Sequence, residues 1–307
     1  MPILYPPRKA NGPRRNRHLS SPLAKCLATP PDRSGAQRRR FRDQTRGHPV
    51  ADGIGLAGAV SEPALPEETV AKFIRTLRQR FSFSDEEQQQ LISRMGGEAF
   101  FHKGDTLVDE GEWIEYSSLL FSGYACREKI DREGNRQIVQ IEIPGDFVDL
   151  HSYPMEQLDH AITALTDCRI VKLYHKEIDD LIDKHPRFAR LLWFSTIVDT
   201  SIHREWILNL GSRAGSQRMG HFLCEMYCRM EVVGLVDDGR YDLPLTQKDL
   251  GEALGFTPIH VNRTLKKLRS LGLADFRNQK VTIDDFDALA DHCGFDASYL
   301  YLTLRKK

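Results

Sequence analysis

Several features are scarce or missing in this chain, and each absence narrows what it can be. Six cysteines are spread through 307 residues, which is no disulfide framework and points to a reducing compartment, the cytoplasm. No run of eighteen apolar residues occurs, so no membrane-spanning helix is expected. Net charge is absent too, with 43 basic residues balancing 43 acidic ones. A hydrophobic content of 40% and a charged content of 28% suit a globular protein and exclude collagen-like or wholly disordered chains. Catalytic groupings are also missing: there is no phosphate-binding glycine loop, nucleophile elbow or His-Glu-x-x-His. The nearest polar grouping, Asp149 with His151 and His160, has no further member that would complete a catalytic set, so no enzyme is expected and no cofactor or metal is assigned.

The zero net charge conceals an uneven distribution. Residues 1–50 hold 12 Lys and Arg against only Asp32 and Asp43, leaving 31 basic and 41 acidic residues for the remainder. Residues 1–66 also hold most of the prolines, show no sustained amphipathic period, and read as a disordered basic tail. That stretch has no apolar segment of the kind a secretory signal requires. It reads as a solvated tail, an over-extended start or an arm that touches nucleic acid.

After it the pattern becomes structured. Residues 67–80 read as a helix, and Ser84 with Glu87 forms a capping box before a second helix over 85–95. Gly104, Gly111, Gly123, Gly134 and Gly145 then punctuate short runs of strand formers at 106–108, 116–122, 124–130 and 136–143. Further runs follow at 160–166 and 168–174. Short strands at a spacing of about ten residues predict a small antiparallel roll. Beyond Pro186 an apolar helix of about 24 residues runs to Gly211, roughly 36 Å long. Leu191, Ser195, Val198, Ile202 and Trp206 form one stripe on it, and Trp193, Ile197 and Ile207 a second. Two stripes suit two partners, the roll and a second copy of the chain, the alternative being a helix buried within one chain; Leu191, Val198, Ile202 and Trp206 are the residues assigned to a dimer seam by the family resemblance set out below.

The stretch LTQKDLGEALGFTPIHVNRTLKKLRSLGL is the most informative. Thr246 can cap a helix through Leu254, Gly255 breaks it, and Thr257 caps a second helix with Pro258 at its first position. Val261, Leu265 and Leu268 share the inner face of that helix. Ile259, His260, Asn262, Arg263, Lys266 and Lys267 fall elsewhere. A helix–glycine–helix unit followed by two short strands around Arg277 is the arrangement that places its second helix in a DNA major groove. Basic charge is concentrated here: 257–280 hold six Lys and Arg against Asp275, as phosphate contact requires. Thr246, Gln247, Thr257, Pro258, Ile259, His260, Asn262, Arg263, Lys266, Lys267 and Arg277 are the candidate DNA contacts.

The glycine order, "SGY", "PGDF" and "ALTDC", together with this helix pair, resembles the Crp/Fnr regulators over about residues 67–292. The resemblance implies an α+β chain in three parts: a cyclic-nucleotide-binding-like roll (67–185), a dimerisation helix (186–212) and a winged helix-turn-helix (213–307). It implies a homodimer on double-stranded operator DNA, with RNA polymerase as a further partner. In the family's nucleotide binders, Gly-Glu follows "PGDF" and Arg-Ser precedes the next strand. Here those positions read Asp149-Leu150 and about Leu158-Asp159, so the pocket reads as degenerate, with Asp149, His151 and His160 as its candidate lining. His151, His160 and His102 are the imidazoles a haem or metal would need, although lone imidazoles are more often structural. Arg263 matches the family's groove-reading arginine, and Ile259 stands where a glutamate is usual. The competing reading is a sensor that signals through a protein partner; such a chain would bind operator DNA no tighter than random DNA.

Overall fold

The computed structural model describes residues 67–302. The basic tail expected over 1–66 lies outside the described residues. Among them no helix is long and apolar enough to cross a membrane.

Two helices, α1 (Glu67–Arg80) and α2 (Asp85–Ile92), precede the roll. The expected capping box is present: the Glu87 N–H donates to Ser84 Oγ at 3.1 Å, and the Ser84 N–H donates back to the Glu87 carboxylate at 2.9 Å. Helix α2 ends before residue 95, because Gly96 already opens a strand, β1 (Gly96–Phe101). Six more strands follow: β2 (Thr106–Val108), β3 (Tyr116–Ser122), β4 (Ala125–Ile130), β5 (Arg136–Glu142), β6 (Ala161–Ala164) and β7 (Cys168–Tyr174). The short helix α3 (Ser152–Met155) lies between β5 and β6. All pairings are antiparallel, in two sheets of order β1-β7-β3 and β2-β6-β4-β5. Gly123 makes the passage from the first sheet to the second. Its φ is +89°, and a Cβ there would lie 2.2 Å from the Asp167 carbonyl oxygen, so both the turn and the close approach demand glycine.

Helix α4 (His175–Lys184) leads into the long α5 (Arg187–Ser212). Gly211 does not end α5; the helix continues through it and stops at Arg213, whose backbone is extended. Next come α6 (Gly215–Val232), β8 (Arg240–Asp242), α7 (Gln247–Leu254), α8 (Pro258–Ser270), β9 (Asp275–Arg277), β10 (Lys280–Thr282) and α9 (Phe286–Cys293). The expected two-stranded wing gains a third strand, in the order β8-β10-β9. Its tip turns at Asn278 and Gln279, both at positive φ, as a tight hairpin requires.

Apolar residues gather in three clusters. One fills the roll interior around Leu120, Val148, Ile162 and Ile170. A second joins α1, α2 and α4 to the roll and to the start of α5, through Phe73, Leu91, Leu181 and Leu191. The third is shared: Ile138 and Ile141 of β5, Val198, Ile202 and Trp206 of α5, and Met226, Leu254 and Leu265 of the C-terminal part belong to one core.

Buried charges cross these junctions. Arg229 of α6 donates to the Ile141 carbonyl at 2.9 Å and to Asp146 at 2.7 Å. Glu225 accepts from Trp206 Nε1 at 3.0 Å and from the Tyr299 hydroxyl at 2.8 Å. On the outer side Arg136 of β5 pairs with Glu128, with Glu252 at 2.9 Å and with Asp249 at 3.3 Å. Gln137 donates to the Glu252 carbonyl.

Two expected outcomes follow from this packing. Burial and the Arg213 guanidinium push His221 down to about 3. Glu205, 3.2 Å from its Nε2, does not offset this, because that carboxylate is already paired with Arg213 at 2.6 Å. The unfolded imidazole titrates near 6.5, so the unfolded chain binds the extra proton and stability falls as pH drops from about 6.5 towards 3. His221→Gln should flatten that part of a urea-unfolding profile against pH; an unaltered slope would contradict a buried neutral ring. Gly255 caps α7 at φ +64°, so Gly255→Ala should cost about 1 to 2 kcal/mol, measured by chemical denaturation.

Candidate nucleic-acid interface and ligand pocket

The helix pair is built as its caps dictate. The Asp249 N–H donates to Thr246 Oγ1 at 3.1 Å, and the Thr246 N–H donates to the Asp249 carboxylate at 2.8 Å, which starts α7. Gly255 turns the chain, and the His260 N–H donates to Thr257 Oγ1 at 3.3 Å, which starts α8. Val261, Thr264, Leu265 and Leu268 are buried, which leaves Ile259, Asn262, Arg263, Lys266 and Lys267 to face outward.

Its outward face is cationic with an apolar tip. Ile259 is 83% exposed. Arg263, Lys266 and Lys267 are exposed, and the ion pairs found among the described residues include none of the three. Asn262 Nδ2 donates to Gln247 Oε1 at 2.8 Å, which ties the two helices together on this face. Thr246, Thr257 and Pro258 are exposed at the helix starts. Arg277 lies on the wing and is partly neutralised by Asp275 at 3.0 Å, which Arg269 also holds at 2.6 Å. A cleft of about 540 Å³ separates α8 from the wing, with Gln247, Asn262, Lys266 and Arg277 on its walls. His260 departs from expectation. Its ring lies 4.4 Å from that of Phe256, and its Nε2 is so close to Gly215 that a Cβ there would come within 2.7 Å. This imidazole is turned back against α6 and takes no place on the outward face.

The four residues expected at the dimer seam are also placed differently. Leu191, Val198, Ile202 and Trp206 are buried within the protomer. Leu191 packs with α4, and the other three pack in the shared core; a side chain already covered by its own chain cannot face a second copy. The second stripe is the open one: Trp193 is 69% and Ile207 70% exposed, and Ile197 is exposed as well.

A second cavity, of about 510 Å³, lies between the roll and α5. His151 and His160 line it as expected. Asp149 is fully buried and accepts from the Ser118 N–H, and it is not among the lining residues. Burial pushes its carboxyl up to about 7, against the Ser118 hydrogen bonds and the Arg127 charge. His102 is elsewhere, exposed and 3.7 Å from Asp167. Sequence reasoning misses Arg127, Lys129, Asp199 and His203, all on the walls. Arg127 of β4 is buried and held by Glu142 at 2.7 Å and by Asp199 at 2.9 Å. Lys129 pairs with Glu110 at 2.9 Å. Both cations are therefore already neutralised. Burial, reinforced by Arg127 and His160, pushes His151 down to about 3, and burial lowers His160 and His203 as well. The signal that could have found the missing wall is an arginine inside a strand, together with the polar pair Asp199 and His203 one turn apart on an apolar helix.

Comparison with known proteins agrees with this architecture. Residues 98–185 match the cyclic nucleotide-binding domain, and residues 217–292 match the Crp-like helix-turn-helix domain. The transcriptional activator protein FnrL of Cereibacter sphaeroides is 24% identical over 217 residues, 69% of this chain and 87% of that protein. The fumarate and nitrate reduction regulatory protein of Escherichia coli K12 is 23% identical over 214 residues, 70% of this chain and 85% of that protein. Among solved structures, FixK2 from Bradyrhizobium japonicum superposes with a TM-score of 0.58 at 26% identity, covering 64% of this chain and 96% of its own. A CRP/FNR-family transcriptional regulator from Thermus thermophilus shares the fold, with a TM-score of 0.51 at 19% identity over 64% of this chain and 98% of its own. With the roll, the long helix and the winged helix pair in the family's order, and with both domain matches in place, the chain belongs to the Crp/Fnr family of transcription regulators.

Proposed function

We propose that this regulator acts as a homodimer that reads a pseudo-palindromic operator, each copy laying α8 in the major groove of one half-site. The observation that carries the reading is the outward row Arg263, Lys266 and Lys267, three cations outside every ion pair among the described residues, on the second helix of a capped helix pair. Unpaired surface cations on a groove-sized rod are what phosphate contact and guanine reading need. Ile259 at the exposed tip offers an apolar surface to a thymine methyl, where a glutamate would accept from cytosine.

Support for the dimer comes from the exposed side of α5. Trp193, Ile197, Thr200, Arg204, Ile207 and Gly211 are separated by alternating steps of four and three and are all exposed. That spacing is the seam of a two-stranded coiled coil. Two such helices side by side would hold the α8 pair about one helical turn of DNA apart.

The reading includes a pocket that does not take a cyclic nucleotide. A cyclic phosphate needs an unengaged guanidinium or free backbone donors. The guanidinium on the wall is Arg127, and Glu142 and Asp199 already hold it.

Arg263→Ala should weaken binding to a selected operator by about 1 to 3 kcal/mol and relax one base position. Selection from random duplexes followed by fluorescence anisotropy measures both; unchanged selectivity would remove Arg263 from base reading. A protein that never prefers a selected duplex to random DNA would favour signalling through a protein partner instead. Ile207→Glu places a charge on the open stripe and should shift the mass measured by light scattering from dimer to monomer with the fold intact; a variant that stays dimeric would move the seam elsewhere.

A further inference from the structure

Helices α5 and α6 are joined by only Arg213 and Ala214, both with extended backbone. A joint this short lets two rods pivot unless they are also fastened away from it. Next to the joint, Asn209 Nδ2 donates to the Arg218 carbonyl at 3.2 Å, and Arg218 Nε donates to the Asn209 carbonyl at 3.1 Å. So near the pivot, these bonds resist rotation weakly. Farther out, the segment that follows α9 spans the angle between the two helices. Gly294, at φ +62°, turns the chain off the end of α9. Asp296 then caps a single 3-10 turn, Ala297–Leu300, by accepting from the Ser298 N–H at 2.8 Å. The segment lies past the residues that match the helix-turn-helix domain.

Its side chains grip both helices. On the α6 side, the Phe295 ring meets His221 edge-on at 5.0 Å, and Tyr299 lies nearly parallel to the same imidazole at 6.0 Å. On the α5 side, Tyr301 meets Phe194 at 5.5 Å, and Phe194 in turn meets Phe81, just past the end of α1, at 4.8 Å. Tyr301 makes that contact at a φ of +52°, a conformation that tyrosine adopts only at a cost. Between the two sides Leu300 is fully buried, in the core that also holds Val198, Trp206 and Met226. Glu225 ties the three elements at one point. Its buried carboxylate accepts from Trp206 of α5 at 3.0 Å, from Arg229 of α6 at 3.5 Å and from the Tyr299 hydroxyl at 2.8 Å. Glu225 is ten residues beyond Gly215, about 15 Å along α6, so this hold acts at a distance from the pivot. A buried carboxylate that loses a donor is costly, so Glu225 penalises departure of the segment in addition to the core.

We propose that residues 294–302 brace the α5–α6 joint and thereby fix the spacing between the two α8 helices of a dimer. The distance between operator half-sites is then read by Tyr299, Leu300 and Tyr301, positioning residues that lie off the groove-reading helix. The seam is on α5, whereas α8 rides on α6, with His260 seated against Gly215. The angle at Arg213 and Ala214 therefore sets how far each α8 falls from the twofold axis. With the brace in place that angle has one value, and a half-site displaced by one base pair, about 3.4 Å, is met poorly by one of the two helices. The spacing role rests on the dimer and operator reading above; the bracing of the joint does not.

The test uses the full chain carrying Tyr299→Phe together with Tyr301→Ala, which leaves Leu300 and the core in place. Its control is Tyr241→Phe, which removes a hydroxyl bond of the same 2.8 Å length, from β8 to the Leu223 carbonyl. The first readout needs no DNA: trypsin cleavage after Arg213 under native conditions, followed by mass spectrometry. The brace variant should be cut there about fivefold faster than the wild type or more, and the control at the wild-type rate. The second readout is fluorescence anisotropy with a selected operator, with the same operator lengthened or shortened by one base pair between its half-sites, and with a single half-site. The wild type and the control should lose about tenfold or more on the altered spacers, the brace variant less than about threefold, with half-site affinity unchanged in all three. Cleavage no faster than in the wild type, or equally faster in the control, would overturn the brace. Faster cleavage with spacer discrimination intact, a wild type indifferent to the spacer, or a brace variant whose half-site affinity falls in step with its operator affinity would overturn the spacing role. A wild type that prefers no duplex to random DNA would sink the operator reading and the spacing role with it, while the trypsin result still decides the brace.

Discussion

Arg127 is a guanidinium with almost no access to water, and the position of the long helix depends on how its charge is met. One carboxylate comes from β5, Glu142, and the other from α5, Asp199. A buried charge stripped of a partner is strongly destabilising, whereas a complete pair contributes little net stability over an apolar substitute. The pair therefore acts on geometry more than on stability: α5 has to lie where Asp199 can reach the roll. Arg229 repeats the arrangement from the other side, binding α6 to the Ile141 carbonyl and to Asp146. Between them the two arginines set the orientation of roll, long helix and winged helix within one protomer.

The parts of the structure legible in the sequence are those with a local chemical cause. The Ser84 and Thr246 boxes, the Thr257–Pro258 start and the Gly255 turn each need only a few neighbouring residues, and each is found where those residues predict it. Strands with little signal escape such a reading. β1 begins with two glycines and β8 is three residues long, so neither shows an alternation that can be detected from sequence. The third wing strand depends on a partner far along the chain, Tyr241 opposite Val281.

Longer-range features are not legible. Helix α5 carries two apolar stripes, and nothing local says which one its own chain covers. The answer depends on β5, α4 and α6, which bury the Leu191–Trp206 stripe and leave Trp193 and Ile207 in water. The pocket escapes for the same reason. Family likeness directs the search for an arginine to the neighbourhood of Leu158, but a guanidinium reaches this cavity from β4. Only the folded sheet brings Arg127 within range of Asp199, on a helix far later in the chain. His260 illustrates a subtler limit: helical spacing allows it an outward position, but the absence of a side chain at Gly215 opens a place for it to lean inward.

The Arg136 strap has a consequence for approach to a polyanion. Asp249 and Glu252 belong to the first helix of the helix-turn-helix, and Arg136 of the roll, which also pairs with Glu128, offsets part of their negative charge. Asp249 cannot be dispensed with, since the same carboxylate starts α7. Were the roll to swing away, two acids would be unmasked on the helix that stands beside α8, and a phosphate chain would meet repulsion there. The roll thus lends the C-terminal part a partial electrostatic disguise, and on the proposed reading its withdrawal would weaken DNA binding with every residue of α8 unchanged.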